Sequence, residues 1–183
     1  MSNYEYYTNA LEYFWRDTYY VEAKFVEALV GGYAYIASHR FEDVSSGSSV
    51  QVALVNEDTG RNVNIVTLDV VSTGRLRVDL YHGGEIITNG SLFNVFSLNT
   101  TTNVESILKI YHSGSYDLSG ADLIAQDIVP GGGKRNTVGS EITIGRSIKF
   151  SDVGTPLILD IVNKSTASED IAVKVVWWEE PVE

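Results

Sequence analysis

From Tyr33 onward the chain alternates. Tyr33, Tyr35, Ala37, His39 and Phe41 fall on one side of a period of two. After the turn-rich Ser45-Ser46-Gly47-Ser48-Ser49 come Val50, Val52 and Leu54. Leu76, Val78 and Leu80 alternate with Arg75, Arg77 and Asp79, the pattern of a strand with one face in a core and the other in water. Val104 to Tyr111, Leu123 to Val129 and Ile142 to Phe150 continue the series, and Leu157, Leu159 and Ile161 mark the next strand. In the last, Ile171, Val173, Val175 and Trp177 face one way, and Ala172, Lys174, Val176 and Trp178 the other, which puts Trp177 in the core. Turn sequences separate the runs: Asn56 to Gly60, Ser72-Thr73-Gly74, His82-Gly83-Gly84, Ser113-Gly114-Ser115 and Asp152-Val153-Gly154. Pro156 falls at a strand start, where its missing donor is harmless. About eight or nine short strands so punctuated predict an all-β fold, an antiparallel sandwich of jelly-roll type.

The first thirty residues differ, so the chain divides into an aromatic N-terminal arm or short helix over residues 1–30 and a β-sandwich domain over 31–183. Eleven of the twenty aromatic residues lie within the first 36 positions. Tyr4, Tyr7, Leu11 and Phe14 or Trp15 recur at helical spacing. Tyr19 to Val26, richer in aromatic and β-branched residues, reads as a strand. These rings either fill the domain's own core or dock on a neighbouring subunit, since Tyr and Trp combine apolar area with a hydrogen-bonding tip. Tyr4, Tyr6, Tyr7, Tyr13, Phe14, Trp15, Tyr19 and Tyr20 are therefore candidate assembly residues.

Composition narrows the chemistry. A length of 183 residues with 44% hydrophobic content suits one domain with a real core. The absence of cysteine rules out disulfides, thiolate metal sites and cysteine nucleophiles. A net charge of -11 disfavours nucleic acid, which needs a concentrated basic face. No apolar run reaches the ~18 residues of a membrane helix, and Met1 to Glu5 lacks the basic and apolar regions of a secretory signal. The chain reads as a soluble, unprocessed product with no nucleic-acid or membrane partner.

Catalytic and metal-binding patterns fail one after another. His39, His82 and His112 have no ligand-like spacing and read as ordinary strand-end or surface histidines. Gly131-Gly132-Gly133-Lys134-Arg135 invites comparison with a phosphate-binding loop, but Ile128 stands where that motif opens with glycine and Arg135 follows the lysine. It reads instead as a cationic finger able to meet an acidic neighbour. Ser106-Ile107-Leu108-Lys109 matches a serine-enzyme tetrad without its companions. The acidic pairs Glu42-Asp43, Glu57-Asp58, Glu169-Asp170 and Glu179-Glu180 sit at turns or the terminus and read as solvated. The segment Asn56 to Gly60 lacks the alternating ligands of a calcium loop. Asn89, Asn99 and Asn163 open formal glycosylation sequons. The expectation is a non-enzyme with no catalytic residue, no metal and no cofactor.

From about Phe41 the order of motifs resembles small capsid-associated proteins (head decoration or cement proteins) of tailed phages and archaeal tailed viruses. The resemblance runs through Phe41 to Gly47 leading into Val50 to Leu54, then Arg77-Val78-Asp79-Leu80-Tyr81. It continues through the bulky loop Asn89 to Thr102, the Gly-Gly-Gly-Lys-Arg loop, Thr155 to Ile161, and Val173 to Glu180. It covers roughly three quarters of the chain, the longer and more aromatic N-terminus departing from it. The resemblance implies a jelly-roll virion structural protein, a capsid decoration, cement or turret-type head protein that binds the icosahedral shell as an oligomer, made in the host cytoplasm and located on the capsid surface. Its partners would be the major capsid protein and itself, as a homotrimer, with the N-terminal aromatic segment and Lys134 and Arg135 as contacts. A single jelly-roll major capsid protein is the alternative. A carbohydrate-binding β-sandwich module, stacking sugar on Tyr116, Trp177 or Trp178, is the reading from another class.

Overall fold

The computed structural model describes residues 23–102, 104–130, 139–142, 148–150 and 152–182. Residues 23–31 form helix α1. Its Ala, Lys, Glu and Leu residues favour a helix. Phe25, Ala28 and Leu29 make an apolar stripe that packs on Ala34 and Trp178. The helix closes with two capping bonds, Tyr33 N–H to the Ala28 carbonyl at 2.8 Å and Gly32 N–H to that of Leu29 at 3.3 Å. Gly32 has φ 82°, and a Cβ there would meet Thr102 Cβ at 2.7 Å, so both conformation and space require glycine. Ala23 to Val26 are therefore helical, which corrects the strand expected over Tyr19 to Val26. The docked stripe outweighs the β preference of Phe25 and Val26. The remainder of that segment, and the helical stripe from Tyr4 to Trp15, lie outside the described residues.

The strands follow as β1 (Ala34–Val44), β2 (Ser49–Asn56), β3 (Arg61–Ser72), β4 (Leu76–His82), β5 (Glu85–Thr88), β6 (Ser91–Leu92) and β7 (Val95–Ser97). Then come β8 (Leu108–His112), β9 (Ser115–Asp117), β10 (Asp122–Val129), β11 (Gly139–Ile142), β12 (Ile148–Phe150), β13 (Leu157–Asn163) and β14 (Glu169–Pro181). The first sheet has the order β11-β3-β14-β1-β7, with β12 also on β3. The second has the order β10-β4-β13-β2-β8-β6. These ladders are antiparallel.

The inner faces form one core. Tyr35 and Ala37 of β1, Val173, Val175 and Trp177 of β14, and Val63, Ile65, Leu68 and Val70 of β3 meet Val52 and Leu54 of β2, Val78 and Leu80 of β4, and Leu159 and Ile161 of β13. The molecule is thus an all-β antiparallel sandwich, and Trp177 is fully buried as the alternation of β14 predicts. The ribbon β5-β9 covers part of the second sheet's outer face, with Tyr116 packed on Ala53 and Ile158. One flank is bridged by the segment from Ser91 to Ser97, where β6 pairs with β8 in the second sheet and β7 with β1 in the first. Phe93, between them, is buried.

β3 has no counterpart among the expected strands. Its buried positions run Val63 and Ile65, then Leu68 and Val70, so the period slips by one. The slip is a β-bulge: Val176 pairs with Thr67 but Trp177 with Ile65, leaving Val66 as the extra residue. The run from Val104 is shorter than expected, since β8 begins at Leu108. That from Ile142 to Phe150 is represented by β11 and β12, both on β3.

Candidate functional site

Across the first sheet's outer face, register aligns Phe96, Ile36, Val176 and Thr67 as one row over β7, β1, β14 and β3. The neighbouring Ala34 and Trp178 are covered by α1. The Phe96 row is not: Phe96 is 63% exposed, and Ile36 and Val176 are half-buried. On α1, Val26 and Val30, one turn apart, are also exposed, at 56% and 73%. Asn99 fixes the junction by donating from Nδ2 to the Val30 carbonyl at 2.9 Å, and Leu98 N–H donates to the Ala34 carbonyl at 2.8 Å. The patch is bordered by Lys174 paired with Asp69 and by Arg40 paired with Asp170. Apolar side chains gathered on one face within a charged rim are the anatomy of a protein-binding surface.

Glu179 anchors the structure beneath. Its side chain is completely buried, unlike the solvated acid expected from the Glu179-Glu180 pair. Oε1 accepts from Ser106 Oγ at 2.6 Å, Ile107 N–H at 3.0 Å and Trp177 Nε1 at 3.3 Å. Oε2 accepts from Arg61 Nη1 at 2.5 Å. Tyr35 donates its hydroxyl to the Val104 carbonyl at 3.1 Å, and burial, then the nearby Glu179 charge, pushes that phenol up to about 12. These bonds hold residues 104–107 against β1 and β14 without strand pairing. Ser106, the supposed serine of the enzyme-like tetrad, is a buried strut.

A second polar arrangement lies on the outer face of the second sheet. Register aligns Gln51, Asp160, Asp79 and Gln126 across β2, β13, β4 and β10. Gln51 donates to Asp160 at 3.2 Å and Gln126 to Asp79 at 2.7 Å. Arg77 Nε lies 2.8 Å from Asp79 Oδ2, an ion pair not aligned as a hydrogen bond, and Nη2 lies 3.8 Å from Asp160. Burial raises the Asp160 carboxyl above its ordinary range, against Gln51 and Arg77, which lower it. The carboxylates are neighbours on one sheet rather than opposed walls of a cleft, and each already has a partner. The ladder ties four strands together.

Several other residues singled out in the sequence have definite places in the fold. His39 and His112, unrelated by spacing, stack with ring centroids 3.7 Å apart. His82 lies 3.3 Å from Asp152. Asn163 is buried and donates to the carbonyls of Val44 and Ala167, both at 2.8 Å, which leaves its amide no access for a glycan. Tyr116, Trp177 and Trp178 are 8%, 0% and 4% exposed, so none offers a ring face to a sugar. Among the described residues no cluster of three or more His, Asp or Glu could hold a metal ion, and no helix is long and apolar enough to cross a membrane. Tyr4, Tyr6, Tyr7, Tyr13, Phe14, Trp15, Tyr19, Tyr20, Lys134 and Arg135 lie outside the described residues. Sequence reasoning missed Phe96, Val26 and Val30. The signal was present in the bulky Phe93 to Leu98 loop, but which ring faces out depends on the pairing of β7 with β1. Compared with known protein families, curated proteins and solved structures, the chain matches none.

Proposed function

We propose that this chain is a virion structural protein, a head decoration or cement protein that binds an icosahedral shell as an oligomer. The observation that carries the reading is the order of the strands once the flanking β6, β7 and β8 are set aside and β11 is taken together with β12. β1, β3, β11 with β12, and β14 lie in the first sheet, and β2, β4, β10 and β13 in the second. In chain order they alternate between sheets except at β4 and β10, which pair with each other. That connectivity supports the jelly-roll reading, an architecture that recurs in capsid and lectin domains.

The surface favours the first of those. A lectin-like role wants exposed ring faces, and the three rings suggested for it are buried. The exposed Phe96, flanked by Ile36 and Val176, instead offers an apolar row suited to a protein partner. Such a face, repeated by symmetry, gives a multivalent particle binder avidity from modest single contacts. A single jelly-roll major capsid protein shares the strand order and differs in building the shell itself.

Light scattering and negative-stain microscopy of the purified full chain at low and high salt separate these readings. A discrete trimer that adds to preformed heads supports decoration. Closed shells formed by the protein alone move the assignment to the major capsid protein. A strict monomer at both salts that adds to no particle overturns both.

A further inference from the structure

His39 continues the inward series Tyr35, Ala37, His39 on β1, and His112 ends the inward series Leu108, Ile110, His112 on β8. The two belong to opposite sheets, and their rings meet across the sandwich with planes inclined by 26°. Phe41 meets His39 edge-on at 4.7 Å, and Phe93 lies 5.2 Å from His39 and 5.6 Å from His112. Phe93 is also the turning point of the Ser91–Ser97 bridge between the sheets, its N–H donating to the Ile110 carbonyl at 2.8 Å. Beside it is a cleft of about 540 Å³ lined by Tyr35, Phe93, Val95, Ser97, Leu108 and Ile110 among others.

The neighbours of this stack supply no countercharge. Val173 stands opposite His39 on β14, while Val52 and Ser91 stand opposite His112 on β2 and β6. Ser113 Oγ lies 3.0 Å from His112 Nδ1. The charged groups of the flanking strands are engaged elsewhere: Arg40 with Asp170, Lys109 with Glu105, Lys174 with Asp69. Glu42 is exposed on β1, and Gln51, the polar residue beside Val52, bonds Asp160. Among the described residues no carboxylate oxygen pairs with either ring.

We propose that His39 and His112 form an acid-sensitive latch: protonation separates the stacked rings and lifts the Ser91–Ser97 bridge, with Phe93, off the flank of the sandwich. Neutral imidazoles can lie ring on ring at 3.7 Å, whereas two imidazolium ions at this spacing repel without a carboxylate to balance them. Burial lowers the affinity of His39 for a proton, and burial followed by the charge of His39 does the same for His112. Because both folded values lie below the unfolded one, the closed state is fully favoured above the ordinary imidazole range. It loses stability as the pH falls from there towards the folded values. The bridge is the element that yields, since β6 and β7 make only two and three register pairs with their sheets. This inference holds whatever the outer face of the first sheet binds.

The test is amide hydrogen exchange of the full chain at about pH 7.5 and about pH 5, corrected for intrinsic rates. It compares wild type with the His39→Phe/His112→Phe double variant, and uses His82→Asn as a control for the third histidine. The expected result is a loss of protection of roughly tenfold or more at β6 and β7 in wild type and in the control, the equivalent of one pKa unit, but not in the double variant. Unchanged wild-type protection, or an equal loss in the double variant, overturns the proposal. Should the double variant fail to fold, imidazole proton titrations on wild type decide. Coupled midpoints below the ordinary range support the latch, and two independent midpoints at about 6.5 overturn it.

Discussion

Replacing Glu179 removes the acceptor for four donors at once. In Glu179→Ala, Ile107 N–H and Trp177 Nε1 lose the carboxylate that accepts from them, and Ser106 Oγ loses its 2.6 Å acceptor. Arg61, whose side chain is 19% exposed, keeps a 3.0 Å bond to the Glu105 carbonyl and a position 5.7 Å above the Tyr33 ring. Breaking a buried ion pair from one side costs about 3–5 kcal/mol, and each buried donor left unpaired about 1–3 kcal/mol. Water entering the gap recovers part of the sum, so the expected loss is about 4–5 kcal/mol, a large share of a typical domain's ~5–15 kcal/mol. Glu179→Gln keeps one oxygen for Ser106, Ile107 and Trp177 but turns an amide donor towards Arg61 in place of the charged acceptor, for about 1.5–3 kcal/mol. Urea unfolding followed by tryptophan fluorescence measures both. At a slope of about 2 kcal/mol/M the midpoint falls by about 2 M for the alanine variant and by about half as much for glutamine. If both variants stay within about 0.5 kcal/mol of wild type, the carboxylate is not the anchor described and residues 104–107 are held by something else.

Three further outcomes follow from particular contacts. Phe96→Asp should leave unfolding within about 0.5 kcal/mol of wild type while abolishing oligomers or particle binding in light scattering, because the ring is mostly exposed in the monomer. Gly32→Ala should cost more than about 1 kcal/mol in chemical denaturation, since it combines the left-handed φ of 82° with the 2.7 Å approach to Thr102. Asp160→Asn should stabilise the fold at neutral pH: a carboxyl raised by burial binds its proton more tightly when folded, so its ionised form costs stability above the folded value. Melting temperatures across pH should show that advantage fading as acid protonates the native aspartate, and a constant difference at all pH would refute it.

What could be read from residues alone was whatever depends on neighbours in the chain. β4 was legible because Leu76, Val78 and Leu80 alternate with polar neighbours, and β14 because Ile171, Val173, Val175 and Trp177 keep an unbroken period of two. β3 was hidden because the bulge at Val66 shifts its inward set midway and leaves apolar residues at both parities. The helix at residues 23–31 depends on Trp178, supplied from the far end of the chain. The site residues were harder still. Phe96 is outward only because β7 pairs with β1 in one register, and His39 meets His112 only because two sheets close on each other. Asp79 and Asp160 became neighbours through the pairing of β4 with β13. Glu179 carries no local mark of burial at all, since its partners Arg61 and Ser106 lie on segments remote in sequence.

The position of β13 and β14 has a consequence for how the protein is made. Each is flanked on both sides, β13 by β4 and β2 and β14 by β3 and β1, although they are the last two strands in chain order. While a ribosome is still translating the segment from Leu157 to Pro181, β1 and β3 have no common partner and neither do β2 and β4. A nascent chain at that stage carries four unpaired strand edges and an apolar interior open to water, the state most prone to stick to its neighbours. Folding of both sheets therefore waits for these strands to leave the exit tunnel, and a chain broken off before β13 loses the middle of the sandwich rather than its margin.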